Sequence, residues 1–151
     1  MKKLTVQSGP IVRTRKMERH YVLHRKQLTH DGCDFCDFTP QHTQAIKEYD
    51  HFWVVKNIFP YAVWDGCRVV EHNLVVPKRH VTSISQYDNV EKVEYMDIVS
   101  AWEGDGYCLY SRPHGGITKS MPHQHTHLIK IENKRIKSLV YNHHPHVLNF
   151  R

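Results

Sequence analysis

The feature that most constrains the fold is the segment SMPHQHTHLIK, residues 120–130, in which histidine occupies every second position three times. Successive side chains of a β-strand point to opposite faces, so residues i, i+2 and i+4 project from the same face. A helix would distribute the same three residues around its circumference. The alternation therefore predicts a strand over HQHTHLIKIE, with His123, His125 and His127 in one row.

A row of imidazoles suits phosphate chemistry. Imidazole is the side chain best adapted to proton transfer near neutral pH, and a neutral imidazole held through one nitrogen can attack phosphorus through the other. Upstream, GGITKS (115–120) supplies backbone N–H groups, a hydroxyl and a lysine, which suit an anion-binding loop. The net charge of +6 favours anionic partners such as nucleotides or nucleic acid, although a solvated basic surface carries the same charge.

The second chemical feature is CDFC, which contains Cys33 and Cys36. In a cytosolic chain such a pair is more often a metal site or a redox pair than a structural disulfide. It lies between THDG and DFTPQH, a turn-rich setting that suits a zinc knuckle better than the helix start needed for thioredoxin-like chemistry. His30 and His42 lie beside the motif and are competing candidates for the remaining ligand positions.

Secondary-structure signals alternate between strands and one helix. β-Branched and aromatic runs predict strands at 51–57, 68–76 and 107–112, in addition to the histidine segment. Apolar residues near helical spacing predict one main helix at about 82–102. We expect a helix or an extended segment in the basic N-terminal part, and a short helix in the tail after residue 133. The order favours an α+β domain with an antiparallel sheet at 33–151, preceded by an N-terminal arm at 1–32.

The chain carries no sign of a membrane or secretory segment. Its longest apolar runs, such as NLVVP, are too short to span a bilayer, and MKKLTVQSGP lacks the apolar part of a signal peptide. A hydrophobic content of 40% and a charged content of 24% are typical of globular proteins. We therefore expect a cytoplasmic protein with no membrane partner.

Two separated motifs resemble one known family. HQHTHLI resembles the His-x-His-x-His signature of the histidine triad (HIT) superfamily of nucleotide hydrolases and transferases. HNLVVPKRHV, residues 72–81, resembles its second hallmark segment, and Asn57 matches an asparagine that contacts the ribose. The resemblance covers residues 33 to about 130. It implies a HIT-like sheet with one main helix, a nucleotide or dinucleotide substrate and, as in many members, a homodimer.

The resemblance also implies a role for each polar position. His125 would be the nucleophile that forms a nucleotidyl-histidine intermediate, and His127 would bind the phosphate and assist the leaving group. His72 would line the same phosphate site, Ser120 would contact the phosphate or the leaving group, and Arg112 would supply a phosphate contact. Nucleotide-transferring members often have glutamine at the third triad position, so His127 favours hydrolysis.

Zinc-containing members of the family use two cysteines, the histidine that ends the PK-x-H segment, and the first histidine of the triad. The corresponding positions are Cys33, Cys36, His80 and His123, and all four hold residues that can bind zinc. The resemblance therefore implies a structural zinc with a complete tetrahedral ligand set, apart from the site of reaction.

The sequence departs from the family pattern at several positions. Gln124 and Thr126 replace residues that are commonly apolar, and Glu71 replaces a glycine.

The leading hypothesis is a hydrolase acting on the α-phosphate of nucleoside phosphoramidates, dinucleoside polyphosphates or related adenylates. The alternatives are a nucleotidyltransferase or phosphorylase, and a zinc-stabilised nucleotide- or nucleic-acid-binding module with little catalysis, which the basic segment RTRKMERHYVLHRK would serve.

Overall fold

The computed structural model describes residues 13–27, 32–135, 139–143 and 146–150. Over these residues the helices are α1 (Arg15–Gln27) and α2 (Asn89–Gly104), with short 3-10 turns at Asp34–Cys36 and Ile84–Gln86. The strands are β1 (Ala45–Glu48), β2 (Phe52–Lys56), β3 (Val63–Trp64), β4 (Cys67–Pro77), β5 (Cys108–Ser111), β6 (Thr126–Arg135), β7 (Leu139–His143) and β8 (His146–Phe150). Neither described helix is long and apolar enough to cross a bilayer.

Six strands form one sheet in the order β1-β2-β4-β6-β5, with β3 also paired to β4. The pairs β1–β2, β2–β4, β3–β4 and β5–β6 are antiparallel. β7 and β8 form a separate antiparallel pair. The sheet and α2 reproduce the predicted α+β architecture with one main helix, and that prediction is confirmed.

The chain divides into two compact units. One comprises residues 29–58 and 72–130, and it contains every candidate site residue identified from the sequence. The other comprises residues 1–28, 59–71 and 131–151. The boundary expected between residues 32 and 33 stays a prediction.

In the unit with the candidate site, alternate residues of β2 enter two different apolar clusters. Phe52 and Val54 join a cluster that includes α2, whereas Trp53 and Val55 join a second one. Strand β4 alternates in the same way, with Val75 in the first cluster and its neighbours in the second. Because both faces of these central strands are buried, FWVV and LVV are continuous apolar runs with no polar alternation.

Helix α2 begins with a reciprocal capping box. The Asp88 carboxylate accepts from the Glu91 N–H at 2.9 Å, and the Glu91 carboxylate accepts from the Asp88 N–H at 2.9 Å. Arg79 donates to both carboxylate oxygens of Glu91, at 3.0 and 2.6 Å. These bonds attach the start of α2 to the segment that carries His80.

Helix α2 buries only some of the apolar residues whose spacing predicted it. Ile98 and Val99 are buried, whereas Val90, Val93 and Met96 are 62%, 64% and 56% exposed. The helix therefore packs through a stripe at 91, 95, 98–99 and 102, in which a buried glutamate and a tyrosine replace two of the apolar residues.

The histidine strand begins later than the alternation predicts. β6 starts at Thr126, so only His127 of the triad lies in it. The pairing with β5 explains this start: its last residue pair is Ser111 with Thr126, and the residues before Thr126 have no partner in β5. The predicted tail helix is wrong, since β7 and β8 occupy that part of the chain. Of the two alternatives for the basic N-terminal segment, the helix is found, as α1.

In the other unit, β3 and β4 are joined by a two-residue turn. Its residues, Asp65 and Gly66, have φ values of 48° and 72°. Two left-handed residues in succession form the turn type whose twist suits a hairpin, which explains the sequence WDGC. In the same unit the Arg13 guanidinium lies 4.2 Å from the centre of the Tyr21 ring, and its Nε–H donates to the Phe59 carbonyl at 3.1 Å.

Candidate active site and metal centre

Four predicted metal ligands come together from three separate segments. Cys33 precedes the 3-10 turn that ends in Cys36, His80 lies three residues beyond the end of β4, and His123 lies three residues before β6. Their ligand atoms all lie within 4.8 Å of one another. The Cys33 Sγ and His123 Nδ1 atoms are 3.3 Å apart, and the Cys36 Sγ and His80 Nδ1 atoms are 3.2 Å apart. This cluster is a candidate metal centre.

These separations fit a tetrahedral ion. Zinc lies about 2.3 Å from sulfur and about 2.0 Å from nitrogen, so two such ligands in a tetrahedron are roughly 3.5 Å apart. The observed separations between sulfur and nitrogen are 3.2–3.5 Å. Burial and the neighbouring Cys33 raise the pKa of Cys36 to about 11, so a bound divalent ion would displace the thiol proton.

The orientation of His123 also fits a ligand. Its Nε2–H donates to the Pro77 carbonyl at 2.9 Å, and because a carbonyl only accepts, Nδ1 presents its lone pair to the two cysteines. Burial lowers the pKa of His123 to about 4, which keeps the imidazole neutral at pH 7. Of the other ligands considered, His42 instead packs on Phe38 and its Nδ1 accepts from the Gln44 N–H, whereas His30 lies outside the described residues.

His125 is buried and held in one tautomer. Its Nδ1–H donates to the carbonyl of His123 at 2.9 Å, so Nε2 carries a lone pair. Burial lowers the pKa of His125 to about 4, and the positive charges of Lys119 and Arg112 act in the same direction. The imidazole is therefore neutral at pH 7, with one nitrogen oriented and the other able to act as a nucleophile.

Three further predicted residues surround His125. The His127 ring lies 5.1 Å from the His125 ring, and its Nδ1 is 2.9 Å from Nε2 of His72. The Asn57 amide lies 3.2 Å from the same Nε2 of His72, and the Asn57 N–H donates to the His72 carbonyl at 3.0 Å. Asn57, His72, His127 and His125 thus form one chain of contacts inside the unit.

Arg112 and Ser120 lie in the connection between β5 and β6. The Arg112 guanidinium is 5.4 Å from the centre of the Tyr110 ring, which itself packs on His127 with ring centres 5.7 Å apart. Arg112 therefore contacts Tyr110, and Tyr110 in turn contacts His127. Nothing in the sequence singled out Tyr110. Ser120 is half-buried in this connection, and its contact with a phosphate stays a prediction.

Phe35 is another neighbour of the site that sequence reasoning missed. It lies between the two cysteines, and its ring meets the rings of His123 and His125 edge-on, with centres 5.9 and 5.2 Å apart. It also stacks on Phe38. The two middle positions of a C-x-x-C motif carry no chemical requirement of their own, so nothing in the sequence indicated this contact.

Solved structures with the same architecture place this geometry in a known fold. The chain is similar to a HIT family hydrolase from Clostridium thermocellum, with a TM-score of 0.52 and 21% identity, over 72% of this chain and 98% of that one. It is also similar to a HIT family protein from Bacillus anthracis, with a TM-score of 0.51 and 19% identity, over 78% of this chain and 86% of that one. This chain has the HIT fold. No protein-family model matches its sequence, and no curated protein does.

The HIT fold is the fold implied by the resemblance of HQHTHLI and HNLVVPKRHV, so the expectation about the fold is confirmed. The TM-scores of 0.52 and 0.51 establish the fold, whereas identities of 21% and 19% leave the activity open. The HIT fold of this chain brings together the four predicted metal ligands, and also the set Asn57, His72, His125 and His127. It further supplies what the sequence left unassigned, the His123 carbonyl that orients His125.

Proposed function

We propose that this protein is a zinc-stabilised nucleotide hydrolase that acts on an α-phosphate through a nucleotidyl-histidine intermediate. The observation that carries the proposal is the hydrogen bond from Nδ1 of His125 to the His123 carbonyl. It directs the proton to one nitrogen of a neutral, buried imidazole and leaves the lone pair on the other. That is the arrangement a phosphorus nucleophile requires.

In the first step, Nε2 of His125 attacks the α-phosphorus and the bond from phosphorus to the leaving atom breaks. The leaving atom takes the electron pair of that bond and a proton from the protonated His127 ring, which becomes neutral. The positive charge that develops on the His125 ring is stabilised by the His123 carbonyl, which accepts its Nδ1–H at 2.9 Å. A preoriented dipole of this kind lowers the barrier because it needs no rearrangement during the reaction.

In the second step, water attacks the same phosphorus and its proton passes to His127. The N–P bond breaks, its electrons return to Nε2 of His125, and a nucleoside monophosphate leaves. Hydrolysis is favoured over transfer to another phosphate by the histidine at position 127, as the resemblance implies. The leaving group can be an amine, as in a phosphoramidate, or a phosphate chain, as in a dinucleoside polyphosphate or another adenylate.

Further polar residues would bind the substrate. Asn57 would contact the ribose, and His72 would contact the phosphate beside His127. Arg112 would contact the phosphate and Ser120 would contact the phosphate or the leaving group, both from the connection between β5 and β6. Support for the Arg112 assignment comes from its position over Tyr110, which packs on His127.

Cys33, Cys36, His80 and His123 would hold the zinc. Support comes from sulfur–nitrogen separations of 3.2–3.5 Å and from the Pro77 carbonyl that orients His123. With four protein ligands the ion would be structural, linking the knuckle to the segment before His125. In this way the residue that binds the metal through its side chain orients the nucleophile through its backbone.

The proposal is tested by assaying nucleoside monophosphate release from adenosine and guanosine phosphoramidates and dinucleoside polyphosphates, with and without inorganic phosphate. We expect release without added phosphate, and loss of release in His125→Ala. His42→Gln is the matched control, because His42 is half-buried in the same unit but has other contacts. Phosphate-dependent release of a nucleoside diphosphate would favour the phosphorylase instead, and full turnover by His125→Ala would refute the mechanism.

A second candidate function is binding of nucleic acid, and α1 is the observation that favours it. Among its described side chains, Lys16, Arg19, Arg25 and Lys26 are exposed cations. Phosphate backbones bind such surfaces with a strong dependence on salt. Retained affinity of His125→Ala for a polynucleotide, lost in Arg19→Glu/Lys26→Glu, together with no turnover by the wild type, would favour this function over hydrolysis.

The homodimer also stays a proposal. It is supported by Val90, Val93 and Met96, which form an exposed apolar row on α2. A single such row is a candidate contact surface for a second copy of the chain. Analytical ultracentrifugation would give twice the chain mass of 17.9 kDa for the wild type and the single mass for Val93→Glu. A monomeric wild type would refute the dimer.

A further inference from the structure

Gln124 is a buried amide between two functional histidines. Its side chain is 1% exposed, and an amide this deeply buried is costly unless its hydrogen bonds are made. The Oε1 atom accepts from Lys119 Nζ at 2.6 Å, and the Nε2 group donates to Ser111 Oγ at 2.7 Å. The polar residue at a commonly apolar position is therefore part of a satisfied network.

Lys119 links three segments through its ammonium group. Besides Gln124, it donates to the carbonyl of Thr82 at 2.9 Å, two residues after His80. The Gln124 N–H donates to the adjacent Val81 carbonyl at 2.6 Å, so both residues bind the same stretch of chain. The sequence suggested that the lysine of GGITKS serves an anion-binding loop, but its ammonium is bound to protein acceptors.

The connection from β5 to β6 depends on these bonds for its position. Up to Lys119, its backbone hydrogen bonds close local turns, from the Gly116 N–H to Pro113 at 3.1 Å and from the Lys119 N–H to Gly116 at 2.8 Å. The Gln124 N–H bond to Val81 attaches only the last part of the connection. The local turns shape the part before Ser120 without attaching it to other segments. Lys119 supplies that attachment, and Ser120 is the next residue.

The same network reaches the backbone of the candidate nucleophile. Ser111 donates its hydroxyl to the His125 carbonyl at 3.3 Å, and Gln124 Nε2 lies 3.3 Å from the same oxygen. The network therefore holds the backbone carbonyl of His125, while the His123 carbonyl holds its ring. Ser120 and His125, which precede the ladder of β6, are connected through Lys119, Gln124 and Ser111.

We propose that Lys119 and Gln124 are positioning residues, which hold Ser120 in register with the His125 imidazole for reaction at the α-phosphate. The inference rests on the proposed function of His125 as nucleophile. If it holds, changes in the network alter the reaction rate even where folding stability is kept, because the network controls the geometry of the reacting groups. A misplacement of reacting groups by about 1 Å can cost about 10²-fold in rate.

The test compares Lys119→Met, Gln124→Leu and the double variant. Each single change leaves one partner of the buried Lys119–Gln124 bond unsatisfied, whereas the double change removes both partners of that bond, which is often nearly neutral for stability. The double variant still loses the bonds to Thr82 and Ser111, so we expect the thermal midpoint to fall in both single variants and to recover in part in the double variant. The exposed Lys92→Met on α2 is the control for loss of a lysine charge.

The kinetic result separates positioning from stability. We expect kcat to fall about 10–100-fold in the single variants and to stay low in the double variant, with little change in KM. Combining Lys119→Met with Ser120→Ala should lower kcat no further than Ser120→Ala alone. Recovery of kcat together with the thermal midpoint in the double variant would overturn the proposal.

A readout without substrate keeps this proposal distinct from the proposed function. Amide hydrogen exchange should accelerate at least about ten-fold at residues 119–125 in the double variant while the amides of β2 keep their wild-type rates. Unchanged exchange at 119–125, or equal acceleration in β2, would refute the positioning role. A wild type without turnover would refute the proposed function, and the exchange result would still decide whether the network holds the connection.

Discussion

Loss of the proposed metal centre is the perturbation whose effect can be worked out most directly from the structure. An ion bound by Cys36 and His80 joins two residues that are 44 positions apart. By the chain-entropy relation used for disulfides, closing a loop of that length stabilises the folded state by about 4 kcal/mol. The link from His80 on to His123 closes a second loop of similar length, so about 8 kcal/mol is the upper bound for independent loops.

This contribution is large for a chain of 151 residues. Domains have a total free energy of unfolding of about 5–15 kcal/mol, and in this size range each kcal/mol shifts the melting temperature by about 2–4 °C. Removing the ion should therefore lower the midpoint by roughly 8–16 °C for one loop alone. The same loss is expected in Cys36→Ala and in the wild type treated with a strong chelator.

The assay combines metal analysis with calorimetry. Wild type purified without chelator should contain about one zinc per chain, Cys36→Ala should contain little, and chelator should leave the midpoint of Cys36→Ala unchanged. His42→Gln should keep both its zinc and its chelator sensitivity, because His42 lies outside the cluster. A wild type without zinc, or one whose midpoint is unaffected by chelator, would refute the metal centre.

Three further predictions concern single side chains. His125→Ala should abolish the trapped radiolabelled nucleotidyl-enzyme and lower turnover by at least about 10³-fold, and a labelled variant would exclude His125 as the nucleophile. Arg79 holds the pKa of Glu91 below its ordinary value, so this pair stabilises the fold above that value and the stabilisation is lost as the pH falls through the lowered pKa. Chemical unfolding should therefore show a wild-type advantage over Glu91→Gln that is full at pH 6 and vanishes at strongly acidic pH, and a pH-independent difference would contradict the ion pair. Tyr95→Phe removes the 2.9 Å bond to the Thr126 hydroxyl and should cost about 1–2 kcal/mol of unfolding free energy, whereas no measurable loss would show that this bond contributes nothing.

Local sequence patterns were sufficient to predict much of the fold. The apolar runs FWVV and LVV helped to predict β2 and β4, because strands buried on both faces admit few polar residues. The histidine alternation correctly indicated that His127 and its neighbours form a strand, but not where the strand begins. That boundary depends on the last pair of the ladder with β5, which lies 15 residues away in the chain, as Ser111 opposite Thr126. Likewise, the tail is a strand pair because two of its segments hydrogen-bond to each other.

The sequence by itself determined which residues can carry the chemistry: two cysteines in a knuckle, a histidine after PK-x-H, and a triad of imidazoles. Spacing and chemical type are local properties, so a chain can be searched for them directly. Only the tertiary structure decided that Cys36 lies 3.2 Å from His80, that the His123 carbonyl orients His125, and that Lys119 binds Gln124. These contacts join segments or select one acceptor among many, and they form only after the packing of the sheet has brought the backbone into place.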